Sequence, residues 1–273
     1  MKLKEYLALI GIKSNYKFFP QVLKTIGQWN GFDVQFYIWK TPKNRPYSLD
    51  LTEIEELQTF LKDGDVAIDV GAHMGDSTLP IALACGSTGK VFAFEPNPVV
   101  FQILAKNSFL NVETTNIVPL PFACTDDEVV TKFWYSSPWL ANGGDRSDAG
   151  WRYGASYPVH INGKNPLGLL ETKFSDDIQR LKYIKIDVEG FDIHVLRQFQ
   201  TLIDKVRPYI KFEVFGKTTL VNRKALFDFV LERNYQLYLV GDSGKLFAQN
   251  ANEEDFYKKT SVDIFCVPKE GHV

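Results

Sequence analysis

From residue 51 onward the apolar positions switch between two periods. Short continuous apolar runs, suited to strands buried on both faces, alternate with stretches at helical spacing. The runs at 66–70, 91–95 and 183–187 predict strands, a further strand falls within 116–124, and 209–214, 235–240 and 262–267 complete the set. Helices are predicted over 77–85, 97–107, 191–202 and 224–233. Pro98 falls in the first turn of its helix, where proline is tolerated. Another helix is expected over 52–61, capped by Thr52 with Glu55 completing a capping box and ended by Asp63-Gly64-Asp65. Repeated strand–helix units imply a parallel sheet covered by helices on both faces. No clear helix separates the last two strands, so they should form an antiparallel edge.

Two stretches break this rhythm. In residues 1–50, Leu3, Leu7 and Ile10 fall at helical spacing, and Val22, Leu23 and Ile26 predict a second helix after Pro20. Phe32, Val34, Phe36 and Ile38 alternate, which predicts a strand over 32–39, and 41–47 with Pro42 and Pro46 reads as a loop. Residues 1–50 are therefore expected to be an appendage, a cap or dimerisation element, on a domain spanning 51–273. The second break follows a predicted strand at 129–135. Residues 136–170 are rich in glycine and proline and too long for an ordinary connection, which marks a functional insertion or lid. Three of the five tryptophans lie in or beside it: Trp134, Trp139 and Trp151. With Tyr153 they form candidate acceptor-binding rings, since flat aromatic faces beside Asn142, Asp145 and Arg146 suit a sugar. The same rings could instead pack the insertion onto the core or form a subunit contact, so a homodimer is left open.

Composition adds exclusions. The 273 residues are 45% hydrophobic, enough for one sizeable core, and 31 basic against 33 acidic residues give a net charge of −2 with no basic stripe. Nucleic acid is not expected as the main partner. Three widely spaced cysteines, Cys85, Cys124 and Cys266, fit a reducing compartment and no disulfide framework. No apolar run reaches membrane-spanning length. The run from Tyr6 to Ile10 reads as part of an amphipathic helix, with no cleavage-like site, so a cytoplasmic location is expected.

The chemistry concentrates at strand ends. The stretch 66–78 runs from a strand through Asp69, Gly71, Ala72, His73 and Gly75 to Ser77 and Thr78 at a helix start. Such a turn holds a ligand against backbone N–H groups. A dinucleotide fingerprint needs G-x-G-x-x-G, whereas here the spacing is Gly71-x-x-x-Gly75 with an acid before it. That favours a nucleoside with a cationic amino-acid tail over a pyrophosphate, and disfavours the alternative of a nicotinamide-dependent oxidoreductase. Glu95 ends the second strand, followed by Pro96 and Asn97, where an acid accepts ribose hydroxyls. Lys185, Asp187 and Glu189 alternate at a third strand end, so all three should face one side, the lysine pairing with one of the two acids. His194 early in the next helix is a further candidate base, and Glu213 at the following strand end a second-tier acceptor contact. Asp187, Glu189, Asp192 and His194 include ligand types, but their spacing matches no established metal pattern, and no metal is expected.

Three blocks together, Ile68-Asp-Val-Gly-Ala-His-Met-Gly75, Phe92-Ala-Phe-Glu-Pro-Asn-Pro98 and Ile184-Lys-Ile-Asp-Val-Glu-Gly-Phe191, resemble the FkbM-type methyltransferases. The resemblance covers about 57–268. It implies an α/β fold with a Rossmann-like, mostly parallel seven-stranded sheet whose last strand is antiparallel. It implies S-adenosylmethionine as cofactor and O-methylation of a hydroxyl on a sugar, glycan or secondary metabolite. On that resemblance Asp69, Gly71 and Gly75 shape the methionine pocket, Glu95 holds the ribose, and Phe122, Ala123 and Cys124 border the adenine. Asp187 and Glu189, with Lys185, face the reacting oxygen. A non-catalytic glycan- or partner-binding module on the same fold is the remaining alternative.

Overall fold

The computed structural model describes residues 19–40, 47–135, 143–144, 157–241, 244–258 and 260–269. The helix expected near Leu3 to Ile10 and, apart from Tyr47, the loop expected over 41–47 lie outside them.

The first element among the described residues is a hairpin, β1 (Gln21–Trp29) against β2 (Phe32–Trp39). The helix expected around Val22 to Ile26 is thus a strand. The signal that decides it is Asn30-Gly31, both left-handed at φ 50° and 84°, a turn whose twist matches paired strands. Helix α1 (Leu51–Gln58) follows. Its cap is Asp50, which accepts the N–H groups of Thr52 and Glu53, so the box through Thr52 does not form and the helix stops three residues short of 61.

The core is built by β3 (Val66–Val70), α2 (Thr78–Cys85), β4 (Lys90–Phe94), α3 (Pro98–Ser108) and β5 (Ile117–Leu120). After the intervening segment come α4 (Pro166–Ile178), β10 (Leu181–Ile186), α5 (Asp192–Gln198), α6 (Gln200–Val206), β11 (Tyr209–Val214), α7 (Leu220–Glu232), β12 (Tyr235–Leu239), β13 (Gln249–Asn250), α8 (Glu253–Phe256) and β14 (Val262–Pro268). The strand order is β13-β12-β14-β11-β10-β3-β4-β5, with β3 at the centre beside β10 and β4. Among the described residues the sheet has eight strands, one more than expected, the extra one being the two-residue β13 on the outer edge. β14 runs antiparallel to both β11 and β12, as its sequence position implied. The predicted helix over 191–202 is two short helices that meet at the buried Phe199.

Alternation sorts the strand residues between two apolar layers. Ile68, Val70, Ile184, Ile186, Phe212 and Val214 face α4 to α8. Ala67, Val91, Tyr183 and Phe265 face α1, α2 and the hairpin, whose Val34, Phe36 and Ile38 join that layer. Helix α2 is buried at every position, which explains why it is apolar all round.

The insertion is less irregular than its composition implies. β6 (Ala123–Cys124), β7 (Val129–Tyr135), β8 (Gly143–Gly144) and β9 (Tyr157–Lys164) form a second sheet in the order β6-β9-β7-β8. β9 and the start of α4 therefore occupy the last part of the stretch assigned to a lid, from Tyr157 onward. The antiparallel pairing of β9 with β7 supplies order that the polar alternation of β9 alone does not announce. Among the described residues no helix is long and apolar enough to cross a membrane.

One buried cation fixes the rim beyond β11. The Arg223 guanidinium on α7 donates to the carbonyls of Thr218, Phe256, Lys258 and Phe215 at 2.6–2.9 Å. Arg223→Met strands those acceptors and is expected to cost about 3–5 kcal/mol of stability. Urea denaturation measures it, and a loss below about 1 kcal/mol would mean that the carbonyls find other donors.

Candidate active site

The carboxyl ends of β3, β4, β10 and β11 converge on one edge. Immediately after β3 the backbone turns left-handed at Gly71 (φ 82°), and the N–H groups of Gly71 and Ala72 both donate to Phe94 O at 3.0 Å. The Asp187 backbone presses against this turn. Asp187 N–H bonds Val70 O at 3.0 Å, and a Cβ on Gly71 would lie 2.0 Å from Asp187 O. Glycine is therefore required twice over, by φ and by space. His73 (φ 48°) and Gly75 (φ 95°) keep the loop 71–77 away from helical geometry until α2 begins. The His73 ring meets Trp39 of β2 edge to face, centroids 5.7 Å apart.

Asp69 is wholly buried and fully engaged. One oxygen accepts Ser77 Oγ–H at 2.8 Å and Thr78 Oγ1–H at 2.7 Å, and the other accepts Lys185 Nζ at 3.2 Å. Asp69 and Lys185 are register partners on adjacent parallel strands, which sets the two side chains side by side. Lys185 was expected to pair with Asp187 or Glu189. Its first partner is Asp69, with Asp187 Oδ2 farther off at 3.7 Å. Burial alone would lower the Lys185 ammonium, but Asp69 and Asp187 outweigh it and hold it above the ordinary lysine range.

Glu95 leaves β4 pointing back over the glycine loop. Its carboxylate accepts His73 N–H at 3.1 Å and Asn97 N–H at 2.8 Å. Burial pushes it above the usual carboxylate range, partly offset by His73 and by the two amides. Asn97 caps α3 through its oxygen, which accepts Val99 N–H at 3.0 Å, while its buried Nδ2 has no hydrogen-bond partner. Pro96 is the link between them. Leu120 O accepts Glu95 N–H, so β5 also ends here. Phe122, Ala123 and Cys124 follow it, and Ala123 and Cys124 pair with β9 in the second sheet.

Acids crowd the other half of the edge. Asp187 is half exposed. The expected alternation from Lys185 fails at Glu189, which is left-handed at φ 55° and is followed by Gly190 at 103°. Asp192 is completely buried and accepts Gly190 N–H at 3.1 Å. Burial and then Asp187 push it well above the carboxylate range. Sequence spacing had singled out Asp192 only as a ligand type, and its place two residues after a glycine at a helix start was the available signal. Glu213, at the end of β11, is pushed up to about 7 by burial and then by Asp187. His194 is exposed on α5, its ring 6.1 Å from that of Phe191. Among the described residues no group of three or more His, Cys, Asp or Glu is arranged to hold a metal ion. Trp134 lies in β7, opposite Pro158 and Gly144, while Trp139, Trp151 and Tyr153 fall outside the described residues.

A family model described as the methyltransferase FkbM domain matches residues 69–238, which contain every strand end named above. The chain belongs to the FkbM methyltransferase family. A curated relative, the hexuronic acid methyltransferase AglP of Haloferax volcanii, is 28% identical over 210 residues, covering 75% of this chain and 77% of that protein. Among solved structures, the FkbM methyltransferase of Methylobacillus flagellatus aligns at 14% identity and a TM-score of 0.47. The alignment covers 76% of this chain and only 44% of that one. A SAM-dependent O-methyltransferase of Thermotoga maritima aligns at 12% identity and a TM-score of 0.41, over 87% of this chain and 76% of that one. The FkbM match begins at Asp69, so the hairpin and α1 stand outside it.

Lys185→Met leaves Asp69 buried without its cation and is expected to cost about 3–5 kcal/mol. The double variant Asp69→Asn with Lys185→Met should recover more than half of that loss. Urea midpoints of the three proteins test the pair, and equal losses in single and double variants would count against it.

Proposed function

We propose that this FkbM-family protein is an S-adenosylmethionine-dependent O-methyltransferase whose acceptor is a sugar of the hexuronic acid type. The observation that carries the reading is the carboxylate of Glu95 lying across a glycine loop, with the unpartnered Asn97 amide beside it. That is an acceptor pair and a spare donor at the place where a ribose would lie. The group fits the residues present. Gly71 leaves the loop open to close approach, and among the described residues no lysine or arginine is hydrogen-bonded or ion-paired within the loop 71–77. When bound, the cofactor supplies an electrophilic methyl group on a sulfonium.

The remaining steps belong to the chain. Glu95 accepts the ribose hydroxyls, and the turn 71–75 with Ser77 and Thr78 bounds the amino-acid tail. Lys185 neutralises Asp69, so the charge facing the reacting centre comes from Asp187, Glu189 and Glu213. An edge this acidic attracts a sulfonium and repels a carboxylate. It therefore favours transfer to a neutral hydroxyl of the sugar over transfer to its acid group. Asp187, half exposed, orients that hydroxyl. Glu213 takes its proton, because a carboxyl held near neutrality is matched to general-base work at physiological pH. Glu189 and His194 stand at the rim of the same edge. The likeness to AglP supports a sugar acceptor, and the aromatic residues Trp134, Trp139, Trp151 and Tyr153 are assigned to its ring face.

Calorimetry should show S-adenosylmethionine binding that Glu95→Ala weakens by at least about tenfold. Absence of binding to the wild-type chain would sink the reading. A base is active when deprotonated, so kcat/KM on a hexuronic acid glycoside should rise with pH and level off above about 7. Glu213→Gln should abolish that limb. Asp187→Asn removes a neighbouring negative charge and should move it to lower pH, and a limb unmoved by either variant would assign the base elsewhere.

A further inference from the structure

The hairpin stands outside the family match, yet three contacts from its side end on the loop that follows β3. The first runs through Asn107 on α3, which is buried. Its Oδ1 accepts Tyr37 N–H at 2.7 Å, and its Nδ2 donates to Tyr37 O at 3.2 Å and to Met74 O at 2.8 Å. Four residues later, beyond the end of α3, Asn111 repeats the device, accepting Gln35 N–H at 2.8 Å and donating to Gln35 O at 2.9 Å. Gln35 and Tyr37 are two residues apart, so both face the same strand edge, which is gripped by two amides, Asn107 in the last turn of α3 and Asn111 in the segment that follows it. The second contact is Tyr47, whose hydroxyl donates to Asp76 O at 2.9 Å while its ring packs 5.0 Å from Phe36 of β2. The third is Trp39 against His73.

The loop needs such support. Gly71, His73 and Gly75 are all left-handed, and for a histidine that conformation costs on the order of 1 kcal/mol. Its own backbone bonds within the turn reduce to Gly75 N–H on Ala72 O before Leu79 N–H on Gly75 O opens α2.

We propose that the N-terminal hairpin, with Tyr47, is a clamp that holds the cofactor loop in its binding shape, and that Tyr47 and Asn107 are positioning residues for the cofactor. The functional half of this rests on the S-adenosylmethionine reading above. The structural half does not. Residues ahead of the family's matched region thereby become part of the transfer machinery, acting through Met74 and Asp76 and touching no substrate.

Tyr47→Phe keeps the ring against Phe36 and removes only the donor. Hydrogen exchange in the apo protein should speed up in peptides covering 71–78 by about tenfold, with β10 and β11 unchanged. KM for S-adenosylmethionine should rise about five- to tenfold with kcat within about twofold, because the loop holds the cofactor equally in ground and transition states. Asn107→Ala should repeat the pattern. If the wild-type chain binds S-adenosylmethionine and neither variant moves loop exchange or KM, the clamp is wrong and the methyl-donor reading survives. If exchange in 71–78 responds but the wild-type chain binds no S-adenosylmethionine, the clamp stands and that reading falls. A uniform rise in exchange across the sheet would show a merely structural role and would also overturn the clamp.

Discussion

The centre of the sheet contains a carboxylate, and the rest of the site follows from how it is neutralised. An isolated charge at Asp69, on a strand buried at all five positions, would cost far more than the marginal stability of a domain. The answer is a set of three donors from two directions: Lys185 from the neighbouring strand, and Ser77 and Thr78 from the start of α2. Those donors fix the lateral position of β10 against β3 and the end of the loop between β3 and α2. The loop and the acid-rich edge are thus tied to one oxygen pair, and neither can shift without the other.

That arrangement also distributes charge across the edge. Lys185 is held as an ammonium against Asp69, and Lys211 within β11 is paired to Asp263 at 2.9 Å. Asp192 is wholly and Glu213 partly buried, and the acids beyond β10 and β11 also crowd one another, so burial first and the neighbouring Asp187 charge second raise both above the ordinary carboxylate range. Such crowding is unfavourable for folding and useful for chemistry that handles a cation and a proton.

Much of this was legible in the chain because it rests on local signals. The continuous apolar runs gave the central strands, glycine after an acid gave the turn, and acids at the ends of β4 and β10 marked the edge. What was missed depends on partners distant in sequence. Val22 to Ile26 reads as a helix until Asn30-Gly31 returns the chain onto it. β9 looks like loop until β7 lies beside it. Lys185 was matched to neighbours two and four residues away, because spacing cannot show that its register partner on β3 is closer. Asn107 and Asn111 gave no sign at all, since an amide at or just beyond a helix end becomes a strand-edge partner only after the hairpin has docked.

The pair at the centre has a consequence for how the protein is made. Asp69 and Lys185 are separated by 116 residues. While the chain emerges from the ribosome, β3, α2 and β4 are available long before the ammonium that allows the acid to be buried. β3 can pair early only along its β4 side, and its other edge must wait with a solvated carboxylate. Insertion of β10 into that gap is therefore the step that closes the sheet, removes the charge from water and presses the Asp187 backbone against Gly71. The loop after β3 is synthesised well before β10 and acquires its final packing only with it.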